Sequence, residues 1–124
     1  MKKTALLASC MILAFAMPAA AEEAAAESLK KKVEKLVSFG TRHTLSSPDH
    51  PTRGIGAARK WAASDFEATS KACGGCLDIE MIERKVSGPR APNGVNVVDV
   101  LAIQKGRLGW DHVIIIAGHI DSRV

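Results

Sequence analysis

The stretch His112-Val113-Ile114-Ile115-Ile116-Ala117-Gly118-His119-Ile120-Asp121-Ser122 decides how the fold is read. Its first half is an uncharged run rich in β-branched residues, the pattern of a strand buried on both faces beneath helices. Its second half places His119 and Asp121 two residues apart, just where ligands and catalytic groups collect at strand ends in α/β proteins. On an extended backbone the two side chains project to the same side. Asp121 can then accept the proton of one imidazole nitrogen and leave the other free for a metal ion. Gly118 removes a side chain where close approach would be needed. A bare His-x-Asp pattern more often has a structural role or none, so its weight comes from this setting.

Two further strands are expected upstream. Residues 95–104 are apolar on both faces apart from Asn96 and Asp99, as in an interior strand. Leu77, Ile79 and Met81 alternate with Asp78 and Glu80, as in a half-exposed strand near a sheet edge. Pro89, Pro92 and Asn93-Gly94 make residues 88–94 a turn-rich link, and residues 105–109 a short loop. Before the strands the apolar period is helical. Leu29, Val33, Leu36 and Val37 form one stripe over residues 22–39, with Lys30, Lys31, Lys32 and Lys35 on solvated faces and Gly40 as the stop. Residues 41–52, with Ser46-Ser47-Pro48-Asp49 and Pro51, form a loop. A second helix is expected from Thr52, as N-cap, to about Lys71, burying Ile55, Ala58, Trp61, Ala62 and Phe66. The architecture is α/β: N-terminal helices followed by strands of a mixed sheet covered by helices. Two helices can hardly cover a strand buried on both faces, so the chain reads as the truncated N-terminal part of a larger domain.

The first 21 residues have the character of a signal peptide. Lys2 and Lys3 make a basic start, residues 5–17 are an apolar run, Pro18 breaks it, and Ala19-Ala20-Ala21 are small residues suited to cleavage before Glu22. The run is too short to span a bilayer as a helix, so no stable membrane insertion is expected. Leu7-Ala8-Ser9-Cys10 fits a lipobox but sits too early in the run. Cleavage leaves 103 residues, 22–124, exported to the periplasm or secreted. The net charge of +4 falls with Lys2 and Lys3 to 15 basic residues against 13 acidic, too small and scattered for nucleic acid.

Cys73-Gly74-Gly75-Cys76 has three readings. A redox motif belongs at a helix N-terminus, whereas this one follows a helix. Half a zinc site lacks a second pair in the chain. A small local disulfide between Cys73 and Cys76, pinning the helix-to-strand turn, is favoured in an exported protein. Gly54-Ile55-Gly56 is not a dinucleotide fingerprint, because no strand precedes it and Arg59 stands at the third glycine position. Arg42 and His43 form a basic pair in a loop, suited to local hydrogen bonding or to shaping a cleft. His50 and His112 have no partner pattern. No N-glycosylation sequon is present.

Gly118-His119-Ile120-Asp121-Ser122 resembles the first metal-ligand motif of the M28 family of zinc peptidases, which includes bacterial exported aminopeptidases. Val37-Ser38-Phe39-Gly40-Thr41-Arg42-His43-Thr44 resembles the family's N-terminal segment, and residues 53–61 resemble its first core helix. Asn96-Val97-Val98 with Lys105-Gly106 resembles the strand and turn before the metal strand. Asp99 departs from the pattern, where an apolar or small residue is common, and suggests a wet face on that strand. The resemblance covers roughly residues 29–122. It implies a zinc-exopeptidase-like fold, with His119 as a zinc ligand and Asp121 as the carboxylate that orients it. It further implies two zinc ions in the complete protein and an aminopeptidase acting on peptides by a metal-activated water. The bridging Asp, the general-base Glu and the other ligands would lie further along the chain, so this polypeptide alone is expected to be inactive. Alternatives are a catalytically dead relative serving as a binding domain, or another M28 activity such as a carboxypeptidase or glutaminyl cyclase. The sequence assigns no substrate-binding residue and no oligomeric state.

Overall fold

A computed structural model describes residues 17–107, 109 and 112–123, with side chains from residue 25 onward. Most of the expected leader, including Cys10, lies outside these residues. The order is helix α1 (Met17–Ser38), helix α2 (Gly54–Ala72), strand β1 (Asp78–Gly88) and strand β2 (Ala91–Ile103). The α/β composition is the one expected. The chain divides between Lys35 and Leu36 into two compact units. The first holds most of α1, where Lys31 and Glu27 pair one turn apart at 3.8 Å and the apolar stripe residues Leu29 and Val33 are exposed. Among the described residues, no helix is long and apolar enough to cross a membrane.

The second unit begins with the end of α1. Gly40, at φ +68°, lets the chain turn out of the helix while its N–H donates to the Val37 carbonyl at 2.9 Å. This is the left-handed position that glycine occupies at helix ends. The loop that follows wraps the start of α2. Thr52 is not the N-cap: Arg53 holds that position, and its side chain makes no cap hydrogen bond. The loop supplies the acceptors instead. The Phe39 carbonyl takes the Gly54 N–H and the Ser46 hydroxyl takes the Ile55 N–H, both at 2.9 Å. His50 Nδ1 accepts from the N–H groups of Thr52 and Arg53 just ahead of the helix. A cap lent from nine residues upstream leaves no local signature, so the sequence pointed to the wrong residue.

All residues from Gly54 to Arg59 are buried. Phe39, Ala57 and Ala58 form the core cluster, with Trp61 and Ile120 packed against it and the Phe39 and Trp61 rings tilted at 6.0 Å. Ala62 and Phe66 are half-buried, so the expected stripe narrows down the helix. Arg59 is buried too. Its Nη2 donates to the Asn96 carbonyl at 3.4 Å, and its Nε has no partner among the described residues. Burial pushes the Arg59 pKa down, opposed by the negative charges of Glu83 and Asp99. Asp99 is itself exposed, so the departure seen in sequence lies on the open side of its strand.

The end of α2 is tied to β1 by three features. Gly74 and Gly75 both adopt positive φ, and the Gly75 N–H donates to the Ser70 carbonyl at 2.7 Å. The buried Ser70 hydroxyl donates to the Leu77 carbonyl and accepts the Leu77 N–H. Cys73 and Cys76 are joined as a disulfide, with Cα atoms 5.6 Å apart.

The strands differ most from expectation. β1 and β2 form one antiparallel hairpin with register Asp78↔Ile103 through Gly88↔Ala91. The link foreseen over residues 88–94 shrinks to a turn at Pro89 and Arg90. Between Val86↔Val95 and Gly88↔Ala91 the first strand supplies one residue and the second three. The surplus is taken up as a bulge with Gly94 at φ +80°. The breakers Pro92, Asn93 and Gly94 therefore bend the strand rather than end it. Residues 95–104 are not an interior strand, since among the described residues β2 is bonded to β1 alone and Val97 and Ile103 are each 37% exposed. Nor do residues 112–117 form a buried strand. Val113, Ile114, Ile115 and Ile116 are 83–95% exposed, without strand pairing. β-branched side chains favour an extended backbone, but a strand also needs a neighbour for its N–H and C=O groups. Among the described residues none is hydrogen-bonded to this run.

Gly56 has no room for a side chain, because a Cβ there would overlap the Pro48 carbonyl. Gly56→Ala is expected to cost about 1–3 kcal/mol, as overpacking of a tight core does. A urea melt of the variant followed by circular dichroism should show a lowered midpoint, and an unchanged midpoint would show that the loop yields freely.

Candidate metal-ligand site

The segment after the exposed run returns to the core at one residue. Ile120 packs against the cluster of Phe39, Ala57 and Ala58. Its neighbours alternate outward, as in an extended backbone, so His119 and Asp121 stand together on the surface. His119 Nδ1 lies 2.9 Å from Asp121 Oδ1, and the imidazole is 95% exposed. With the proton on Nδ1 donated to the carboxylate, the Nε2 lone pair faces solvent and is free to bind a ligand. A Cβ on Gly118 would meet nothing, so the glycine is not sterically required here.

The loop between the helices braces this segment. The Arg42 guanidinium donates from Nε to the Ile120 carbonyl at 2.9 Å, and from Nη1 to the carbonyls of Leu36 at 2.6 Å and Gly40 at 3.0 Å. Its backbone exchanges two bonds with Ser122. The Arg42 N–H donates to Ser122 Oγ at 2.9 Å, and the Ser122 N–H to the Arg42 carbonyl at 3.2 Å. His43 accepts the Leu45 N–H at Nδ1. Of the loop pair read from sequence, Arg42 makes long-range bonds and His43 a local one. Nothing in the spacing announced Ser122 as a partner of Arg42, because the two lie 80 positions apart.

The Asp121 carboxyl is held below the usual carboxylate range. The hydrogen bond from His119 is the main cause, opposed by slight burial and supported by the charges of His119 and His43. In chemical terms the pair is one oriented imidazole ligand. Its donor set suits zinc, which takes neutral histidine nitrogen backed by a carboxylate. It is one arm and not a full site: among the described residues no group of three or more His, Cys, Asp or Glu could hold a metal ion.

Comparison with known proteins points the same way. The chain is 41% identical over 98 residues to a probable zinc metalloprotease of Pyricularia oryzae, covering 74% of this chain and 18% of the relative. It is 41% identical over 105 residues to one from Pyrenophora tritici-repentis, covering 83% and 22%. A third, from Phaeosphaeria nodorum, is 35% identical over 100 residues, covering 78% and 20%. The likeness is to zinc metalloproteases. The chain spans about a fifth of the length of the curated relatives it matches. No family model and no solved structure matches it.

The lowered Asp121 pKa has a sign that can be tested. Its stabilisation is present above the unfolded carboxyl pKa and is lost as pH falls through the lower folded value. In a carbon-13 NMR titration, the Asp121 carboxyl should titrate below the ordinary aspartate range in the native chain and move up in His119→Ala. Identical curves in the two chains would mean that the pair is not hydrogen-bonded in solution.

Proposed function

We propose that the chain forms the N-terminal part of an exported zinc metallopeptidase domain, most like an aminopeptidase of the M28 type, in which His119 binds zinc and Asp121 orients it. The observation that carries this is the His119–Asp121 pair: an exposed imidazole with Nδ1 engaged and Nε2 open, in a chain about 40% identical to proteins named zinc metalloproteases. The substrate would be a peptide cleaved at its N-terminal residue. Zinc, when bound, supplies a Lewis acid that polarises a carbonyl and makes water acidic enough to attack it. The part taken by this chain is to hold one ligand in a fixed tautomer and direction. Asp121 keeps the proton at Nδ1, and Ile120 keeps both neighbours facing outward. Hydrolysis by a metal-bound water also needs further ligands and a general base, and among the described residues no group of three or more His, Cys, Asp or Glu supplies them.

Export is supported by the leader-like residues 1–21 and by the Cys73–Cys76 disulfide, a bond that persists in oxidising compartments. N-terminal sequencing of the protein recovered from periplasm or medium should begin at Glu22. Recovery only from the cytosol with Met1 retained would count against export.

In the longer protein, His119→Ala should abolish zinc retention and hydrolysis of an aminoacyl-nitroanilide. Asp121→Asn should weaken zinc affinity about 10- to 100-fold, the usual effect of losing a carboxylate behind a histidine ligand. Zinc content by mass spectrometry and turnover are the measurements. If both variants keep native zinc and native activity, the assignment is wrong.

A further inference from the structure

The bond between His119 and Asp121 does not by itself explain why the pair holds its direction. The imidazole is almost wholly exposed and packs on nothing that would fix it. The carboxylate is half exposed. What is fixed is the peptide unit between Ile120 and Asp121, because the Ile120 carbonyl accepts a charged hydrogen bond from Arg42 Nε. Charge-assisted bonds of this kind are about twice as strong as neutral ones. One residue further on, Ser122 is tied to the Arg42 backbone through both its hydroxyl and its N–H. The clamp therefore grips the chain on both sides of Asp121.

We infer that Arg42 is a positioning residue for the His119–Asp121 pair, holding the peptide plane from which both side chains are aimed. The same guanidinium reaches the carbonyls of Leu36 and Gly40 at the end of α1. It thus refers the direction of the pair to a helix end rather than to a loose strand. Only a planar fork with several N–H donors can serve three carbonyls in different directions; an ammonium on a flexible stem is a poor replacement. The geometric role stands on these bonds alone. Its use in metal binding rests on the zinc reading above.

The test uses the whole chain labelled with nitrogen-15 histidine, comparing native protein with Arg42→Gln, Arg42→Lys and Ser122→Ala. The expected native signature at neutral pH is a His119 ring in one tautomer, with the proton on Nδ1. In Arg42→Gln the two ring nitrogens should move toward the averaged shifts of a free imidazole, with helix content by circular dichroism unchanged. Arg42→Lys should lie between the two. Ser122→Ala, which loses only the hydroxyl grip and keeps the Nε bond to Ile120, should shift the His119 nitrogens less than Arg42→Gln does. If Arg42→Gln loses helix signal, Arg42→Lys decides, because it removes the Nε donor to Ile120 while keeping a positive charge beside the end of α1. Native-like His119 shifts in folded Arg42→Gln, or in folded Arg42→Lys where Arg42→Gln unfolds, would overturn the inference. Adding zinc chloride separates the two ideas. If the native His119 Nε2 signal ignores zinc while the variants still lose the tautomer signature, the zinc reading fails and the positioning role stands.

Discussion

The second unit of the structure depends on the burial of the first two turns of α2 on every side. Six consecutive buried helical residues leave no face for solvent, so most of them must be small. The sequence supplies Gly54, Gly56, Ala57 and Ala58 there, with only Ile55 and Arg59 larger. Pro48 presses on Gly56, while Phe39 and Ile120 close on Ala57 and Ala58. Interiors packed at this density feel even one added methyl group. The loop before α2, the end of α1 and the segment bearing His119 all take their places from this contact.

Arg59 is the exception in that helix start. A cation taken out of water is costly unless it is paired, and here the pairing is partial: one carbonyl at the long end of hydrogen-bond range, with two carboxylates contributing only through space. One hydrogen bond and the through-space charges thereby link the hairpin to α2. Asp99 looked out of place as a polar residue in a strand, yet its charge opposes the penalty on Arg59.

Helices, the helix stop at Gly40 and the loop between the helices were legible in the sequence, since each rests on local chemistry: a 3.6-residue stripe, a positive-φ glycine, a cluster of Ser and Pro. The pairing of His119 with Asp121 was legible for the same reason, the two being only two residues apart. What failed was non-local. Ser46 caps α2 from nine residues away, and Arg42 meets Ser122 from eighty, so neither appears as a pattern. The strands were misjudged by a related route. Hydrophobic runs report that a segment suits burial, not that a neighbour is bonded to it. Residues 113–116 and the supposed interior strand were both read from composition, while pairing depends on what lies alongside.

Ile120 has a thermodynamic consequence. It is flanked by the two side chains of the candidate site and is itself seated in the core. Occupancy of His119 and integrity of the fold are therefore linked quantities. A ligand that binds only the native arrangement raises the unfolding free energy by RT ln(1 + [L]/Kd), and loosening of the core around Ala57 and Ala58 weakens that ligand by the fraction of chains that lose the native arrangement. Mutations far from the imidazole can thus appear as affinity changes, and ligands at the imidazole as changes in melting temperature.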